Sequence, residues 1–113
     1  MWMVLIGGHP ISAKIPVMRL TPEEHLVIRE ASLRYFGVRP QLFGSRVDDN
    51  KRGGDIDLYI ETACEPREAF GREMHLAADL CQQLGDQKID VVVNTGRLNL
   101  PIYHVAREQG VWL

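Results

Sequence analysis

Gly44-Ser45-Arg46-Val47-Asp48-Asp49-Asn50-Lys51-Arg52-Gly53-Gly54-Asp55-Ile56-Asp57, together with Lys88-Ile89-Asp90-Val91-Val92-Val93, are the stretches whose reading decides the fold. Asp55 and Asp57 stand two apart, so on a strand from Asp55 to Glu61 both carboxylates leave the same face. Ile56, Leu58 and Ile60 then point the other way, into a core. In the second stretch Ile89, Val91 and Val93 alternate with Asp90, Val92 and Asn94, which lets Asp90 share the open face with the pair. Three converging carboxylates repel one another unless a counter-charge is present. A hard divalent cation with oxygen ligands is the natural neutraliser. Alternating acids also occur on plain solvent-facing strands. Here the preceding Gly-Ser turn and polar loop favour metal and phosphate chemistry.

Working outward, Thr21-Pro22-Glu23-Glu24 combines a capping box with a proline suited to a first helical turn. The helix it opens is expected to reach about Phe36, with Val27, Ile28, Ala31 and Tyr35 on one face and Gly37 as its stop. Val38 to Phe43 reads as a short strand delivering Gly44 and Ser45. Pro66 opens a second helix to about Leu84, with Phe70, Met74, Ala77, Cys81 and Leu84 along one stripe. A strand from Gln87 to Asn94 follows, then a short helix from Pro101 that ends before Gly110. The order helix, strand, strand, helix, strand, helix predicts an α/β (α+β) domain: a small mixed β-sheet with helices packed on one face. The opposite face is left to the aspartates.

At 113 residues the chain is large enough for one modest core and not for two. Its 45% hydrophobic and 25% charged residues are those of an ordinary soluble domain. A formal charge of -2 and a pI near 6.1 argue against a protein that grips nucleic acid through phosphate contacts. Cys64 and Cys81 have no zinc spacing and read as reduced thiols of a cytoplasmic protein. The apolar run from Met1 to Ile6 is broken by Gly7-Gly8-His9-Pro10 too early for a signal peptide, and no later stretch suits a membrane span. Residues 1–17 are expected to be a variable extension, or to precede a start at Met18. The single domain is expected over 18–113.

Individual residues carry their own alternatives. Asp90 is an acid inside an apolar strand, which is costly unless it is used or paired with a cation. Gly44 allows close backbone approach, and the Ser45 hydroxyl with nearby N–H groups suits phosphate oxygens. Arg46 reads equally as a triphosphate contact or a solvated side chain. His9, His25, His75 and His104 show no ligand spacing. Tyr59 shares the aspartates' face, where packing is the leading role.

Leu42-Phe43-Gly44-Ser45-Arg46, Gly54-Asp55-Ile56-Asp57-Leu58 and Ile89-Asp90-Val91 together resemble the polymerase-beta-like nucleotidyltransferase superfamily. The resemblance is nearest to its minimal stand-alone MNT-type branch and runs from about Met18 to the C-terminus. The loop between Gly-Ser and Asp-x-Asp is one residue shorter than is usual in that branch. The resemblance implies Asp55, Asp57 and Asp90 as catalytic and metal-binding carboxylates, with Asp90 acting on the acceptor hydroxyl. It implies nucleotide binding at Gly44, Ser45 and Arg46, Mg2+ as cofactor and ATP or another nucleoside triphosphate as substrate. The implied activity is transfer of AMP to a hydroxyl, for many relatives on a neighbouring HEPN-type toxin and in some on a tyrosine, within a toxin–antitoxin pair. The rival expectation is an antitoxin that neutralises its partner by contact alone. A small-molecule transferase or a nucleic-acid polymerase fits less well, because only a short segment follows the third strand. Oligomerisation is left open.

Overall fold

The computed structural model describes residues 19–47, 54–85 and 87–113. The expectations for residues 1–17, and for the loop between Asp48 and Gly53, lie outside the described residues. Helix α1 spans Pro22–Phe36 and opens as the sequence dictates. Thr21 Oγ1 accepts from Glu24 N at 3.0 Å, and Thr21 N donates to Glu24 Oε1 at 2.9 Å. Such a cap stabilises a helix by about 1 kcal/mol. Gly37 closes α1 at φ 72°, a left-handed conformation that favours glycine.

Strand β1 (Gln41–Phe43) leads into a 3-10 turn over Gly44–Val47, and strand β2 (Ile56–Glu61) follows. Helix α2 (Pro66–Leu84), strand β3 (Ile89–Asn94), helix α3 (Pro101–Gln109) and strand β4 (Val111–Trp112) complete the chain. The sheet order is β3-β2-β1-β4. β1 is antiparallel to β2 and β4, whereas β2 and β3 run parallel with α2 as their connection. The sheet is therefore mixed, as the element order predicts. β4 is the element the sequence did not announce.

Burial follows the alternation. Ile56, Leu58 and Ile60 are fully buried against Ile28 and Ala31 of α1 and Leu76 and Leu80 of α2. Each such side chain stabilises the fold by about 1.5–3 kcal/mol. A slip of one residue would send Asp57 into that core, so the register is strongly specified. The long helices α1 and α2 cover this face. The short α3 lies on the other one, where Tyr103 and Ala106 pack on Phe43, Tyr59 and Val92. The second face is thus half-covered.

The buried residues of α2 are Ala69, Leu76 and Leu80. Of the expected stripe, Phe70 (62%), Met74 (57%) and Cys81 are exposed, Ala77 is partly buried, and Leu84 packs on the core. The reason is geometric: α2 carries two neighbouring apolar stripes, and only one can face the sheet. Among the described residues, no helix is long and apolar enough to cross a membrane.

Candidate functional site

The site lies where β1 ends and the parallel strands β2 and β3 begin. Asp57 is the Cα partner of both Phe43 on β1 and Asp90 on β3, so the two acids stand side by side on one face. Asp55 precedes β2 by one residue. Its carboxylate meets Lys88 Nζ at 3.7 Å, a half-exposed pair of the kind that adds little stability.

Asp57 is the electrostatic centre. Partial burial pushes its carboxyl above the ordinary carboxylate value, and the neighbouring charges of Asp90 and Asp55 push the same way. A side-chain hydrogen bond to Asp90 adds to the effect, while Lys88 opposes it. Burial and the neighbouring acids thus favour the protonated form of Asp57 more than in an isolated carboxyl.

Gly44 has φ 79°, and a Cβ there would overlap Asp57 Oδ2 and come within 3.1 Å of its Cγ. The close approach that glycine allows is therefore made by the chain's own carboxylate, which the turn seats beside Asp90. Ser45 is half-buried in the same turn, and its hydroxyl has no hydrogen bond to any described residue. Its backbone oxygen accepts from Arg19 Nη2.

Arg46 is bonded within the chain. Its Nη1 donates to Arg19 O at 2.8 Å, its Nη2 to Gln87 Oε1 at 2.9 Å and its Nε to Gly54 O at 3.3 Å. Gln87 in turn donates to Glu24 Oε2 at 2.8 Å. Arg46 thus ties the turn to the start of α1 and to the far end of the loop. These bonds use three of the five guanidinium N–H groups.

Tyr59 is 1% exposed and serves packing. Its hydroxyl donates to Glu61 Oε2 at 2.6 Å and accepts from Asn94 Nδ2 at 3.0 Å. Arg107 Nε pairs with the same Glu61 oxygen at 3.0 Å, fastening α3 over that end of the sheet. The aspartates remain at the open end.

Asp57 and Asp90 line a cleft of about 620 Å³ that wraps the outer edge of β3. Its walls include Glu73, Met74 and Ala77 of α2 and Ile102 of α3. The volume is in the range of small-ligand sites. Burial pushes the Glu73 carboxyl up, and this residue has no hydrogen bond or ion pair to a described residue. Glu73 and Ile102 did not stand out in the sequence, because only the fold brings α2 and α3 to the two sides of β3.

Among the described residues, no group of three His, Cys, Asp or Glu side chains stands ready to hold a metal. Asp57 and Asp90 meet, and Asp55 leans toward Lys88. The donor chemistry nevertheless fits Mg2+, which commonly takes one or two protein carboxylates and completes its shell with substrate phosphates and water. Set against known proteins, the chain matches no protein-family model and no curated protein.

Proposed function

We propose that this chain is a nucleotidyltransferase that moves a nucleoside monophosphate, AMP from ATP, onto a hydroxyl acceptor in a Mg2+-dependent reaction. The observation that carries the reading is the pairing of Asp57 with Asp90 beside the Gly44–Ser45 turn. Burial first, and the neighbouring Asp90 and Asp55 with it, raise the proton affinity of Asp57, which supports a cation site at these carboxylates. Asp55, Asp57 and Asp90 would hold Mg2+, which when bound neutralises the triphosphate and the charge growing on the leaving pyrophosphate. The Ser45 hydroxyl and the N–H groups of the turn orient the phosphates. Asp90 accepts the proton of the acceptor hydroxyl as its oxygen bonds to the α-phosphorus. The bond from that phosphorus to the bridging oxygen breaks, and pyrophosphate leaves with the electron pair. By resemblance, the acceptor is a tyrosine of a HEPN-type toxin made beside this protein.

One observation favours a second reading, an antitoxin acting by contact. Phe70 and Met74 expose apolar surface on α2, the helix that forms one wall of the cleft, which suits a protein partner.

The experiment combines protein, Mg2+, ATP and the product of the neighbouring gene, with intact-protein mass spectrometry as the readout. The transferase reading expects added AMP on the neighbour. It also expects Asp90→Asn to slow transfer by at least about 10²-fold, within the usual range for positioned proton transfer, while the complex still forms. No mass increase with any nucleoside triphosphate, and full neutralisation by Asp90→Asn in cells, would leave the contact reading standing.

A further inference from the structure

The edge of β3 turned away from β2 has a backbone pattern that can be read residue by residue. Ile56 N donates to Lys88 O and Thr62 N to Asn94 O, both at 3.0 Å. With Leu58 opposite Val91, the even-numbered residues of β3 turn their N–H and C=O groups toward β2. Ile89, Val91 and Val93 therefore present theirs outward, at an edge that no described strand covers.

Proteins usually blunt such an edge with lysine, proline, a bulge or extreme shortness. β3 has none of these within its span: it reads Ile-Asp-Val-Val-Val-Asn over six residues. Its one charge, Asp90, points into the cleft. The edge lies in a trough, with Met74 and Ala77 on one side and Ile102 on the other. Among the described residues, three carboxylates line the trough, those of Asp57, Glu73 and Asp90, and no lysine or arginine does.

We propose that the β3 edge takes up an extended, positively charged segment of a partner protein by strand addition. The added strand carries a hydroxyl residue past Asp90 and seats a basic side chain on Glu73. The hydroxyl part rests on the transferase reading; the strand addition does not.

The geometry also sets the spacing of the partner's residues. α2 lies on the sheet face of Ile56 and Leu58, and Asp90 is on the opposite face. Side chains of an added strand alternate between those faces. The basic residue must then be next to the hydroxyl residue, or an odd number of positions from it. A second copy of this chain is the poorer occupant, because pairing β3 with itself would bring two sets of these carboxylates together.

The test uses the full chain and short capped peptides of alternating valine and threonine that carry adjacent lysine and tyrosine. Amide exchange followed by NMR is the readout. Exchange at Ile89, Val91 and Val93 is expected to slow on adding peptide, while Asp90 and Val92 stay as protected as before. Replacing the peptide's lysine with glutamate is expected to weaken binding about tenfold, as is moving lysine one position further from tyrosine. Val91→Pro removes an outward N–H without touching the β2 ladder, and is expected to abolish binding. Glu73→Lys is expected to reverse the preference toward the glutamate peptide, which keeps the test decisive should the proline variant fail to fold.

Unchanged exchange at saturating peptide would overturn the proposal. So would protection of the three amides before any peptide is added, since the edge would then be filled by this chain itself. Mg2+-ATP binding, followed through the Gly44 and Ser45 signals, separates the two readings. Nucleotide binding without strand addition sinks this inference alone, and strand addition without nucleotide binding sinks the transferase.

Discussion

Gly44→Ala is a small change with two separable costs. At φ 79° an alanine sits in the left-handed region, which costs about 1–2 kcal/mol relative to an ordinary conformation. Its Cβ also overlaps the Asp57 carboxylate. That carboxylate is the far end of a side chain with two rotatable bonds, so it can swing aside at modest cost. Swinging aside separates it from Asp90 and relieves some repulsion, so the second cost falls on the site and not on the fold. Stability is therefore expected to drop by the backbone amount, lowering the Tm by about 4–8 °C for a domain of this size. Mg2+-ATP binding should fall further than stability alone explains.

A double-mutant cycle with Asp57→Ala isolates the contact, because the overlap vanishes when the side chain is gone while the backbone cost stays. Urea unfolding gives the stability arm, and calorimetric titration with Mg2+-ATP gives the binding arm. The reasoning fails if Gly44→Ala melts like the wild type. It also fails if the two substitutions add without coupling in nucleotide binding.

Burial, with the neighbouring acids, makes the Asp57 carboxyl hold its proton more tightly in the folded chain than unfolded, so its charged form is a net cost to the fold once pH exceeds the raised folded-state value. Asp57→Asn is expected to be more stable than the wild type at neutral pH without metal, with the gap closing as pH falls toward the ordinary value of 3.8; thermal melts across pH in the presence of a chelator would show it, and a constant gap would refute the raised proton affinity. Ser45→Ala should weaken Mg2+-ATP binding with little change in Tm, since no described residue bonds its hydroxyl. Arg46→Ala should do the reverse and lower the Tm, because three of its five N–H donors are bonded within the chain; unchanged melting with lost nucleotide affinity would return Arg46 to the phosphate.

Local signals were legible from residues alone. Thr21, Pro22 and Glu24 specify the start of α1, Gly37 its end, and the alternation around Asp57 and Asp90 specifies which face is open. Longer-range placement was not. β4 has two residues, too few for any periodicity, and owes its existence to pairing with Gln41 and Leu42. The stripe through Phe70 and Met74 is as apolar as the buried one through Leu76 and Leu80, so only the position of α2 on the sheet decides between them. Arg46 shows its charge in the sequence but not its partners, which come from residues as distant as Arg19 and Gln87.

The bond from Arg46 to Gly54 bears on how the loop between them can vary. It joins the two ends of that segment, which the antiparallel pairing of β1 with β2 also brings together. Closing a slightly longer loop across a fixed gap costs only the logarithm of its length, about 0.1 kcal/mol for one more residue. Inserting a glycine between Asp49 and Gly53 should then leave the pairing of Asp57 with Asp90, and the Tm, almost untouched. The same insertion in an Arg46→Ala background would act on a segment whose ends are held by the β1–β2 pairing without the Arg46 bond, and length would matter more to the site.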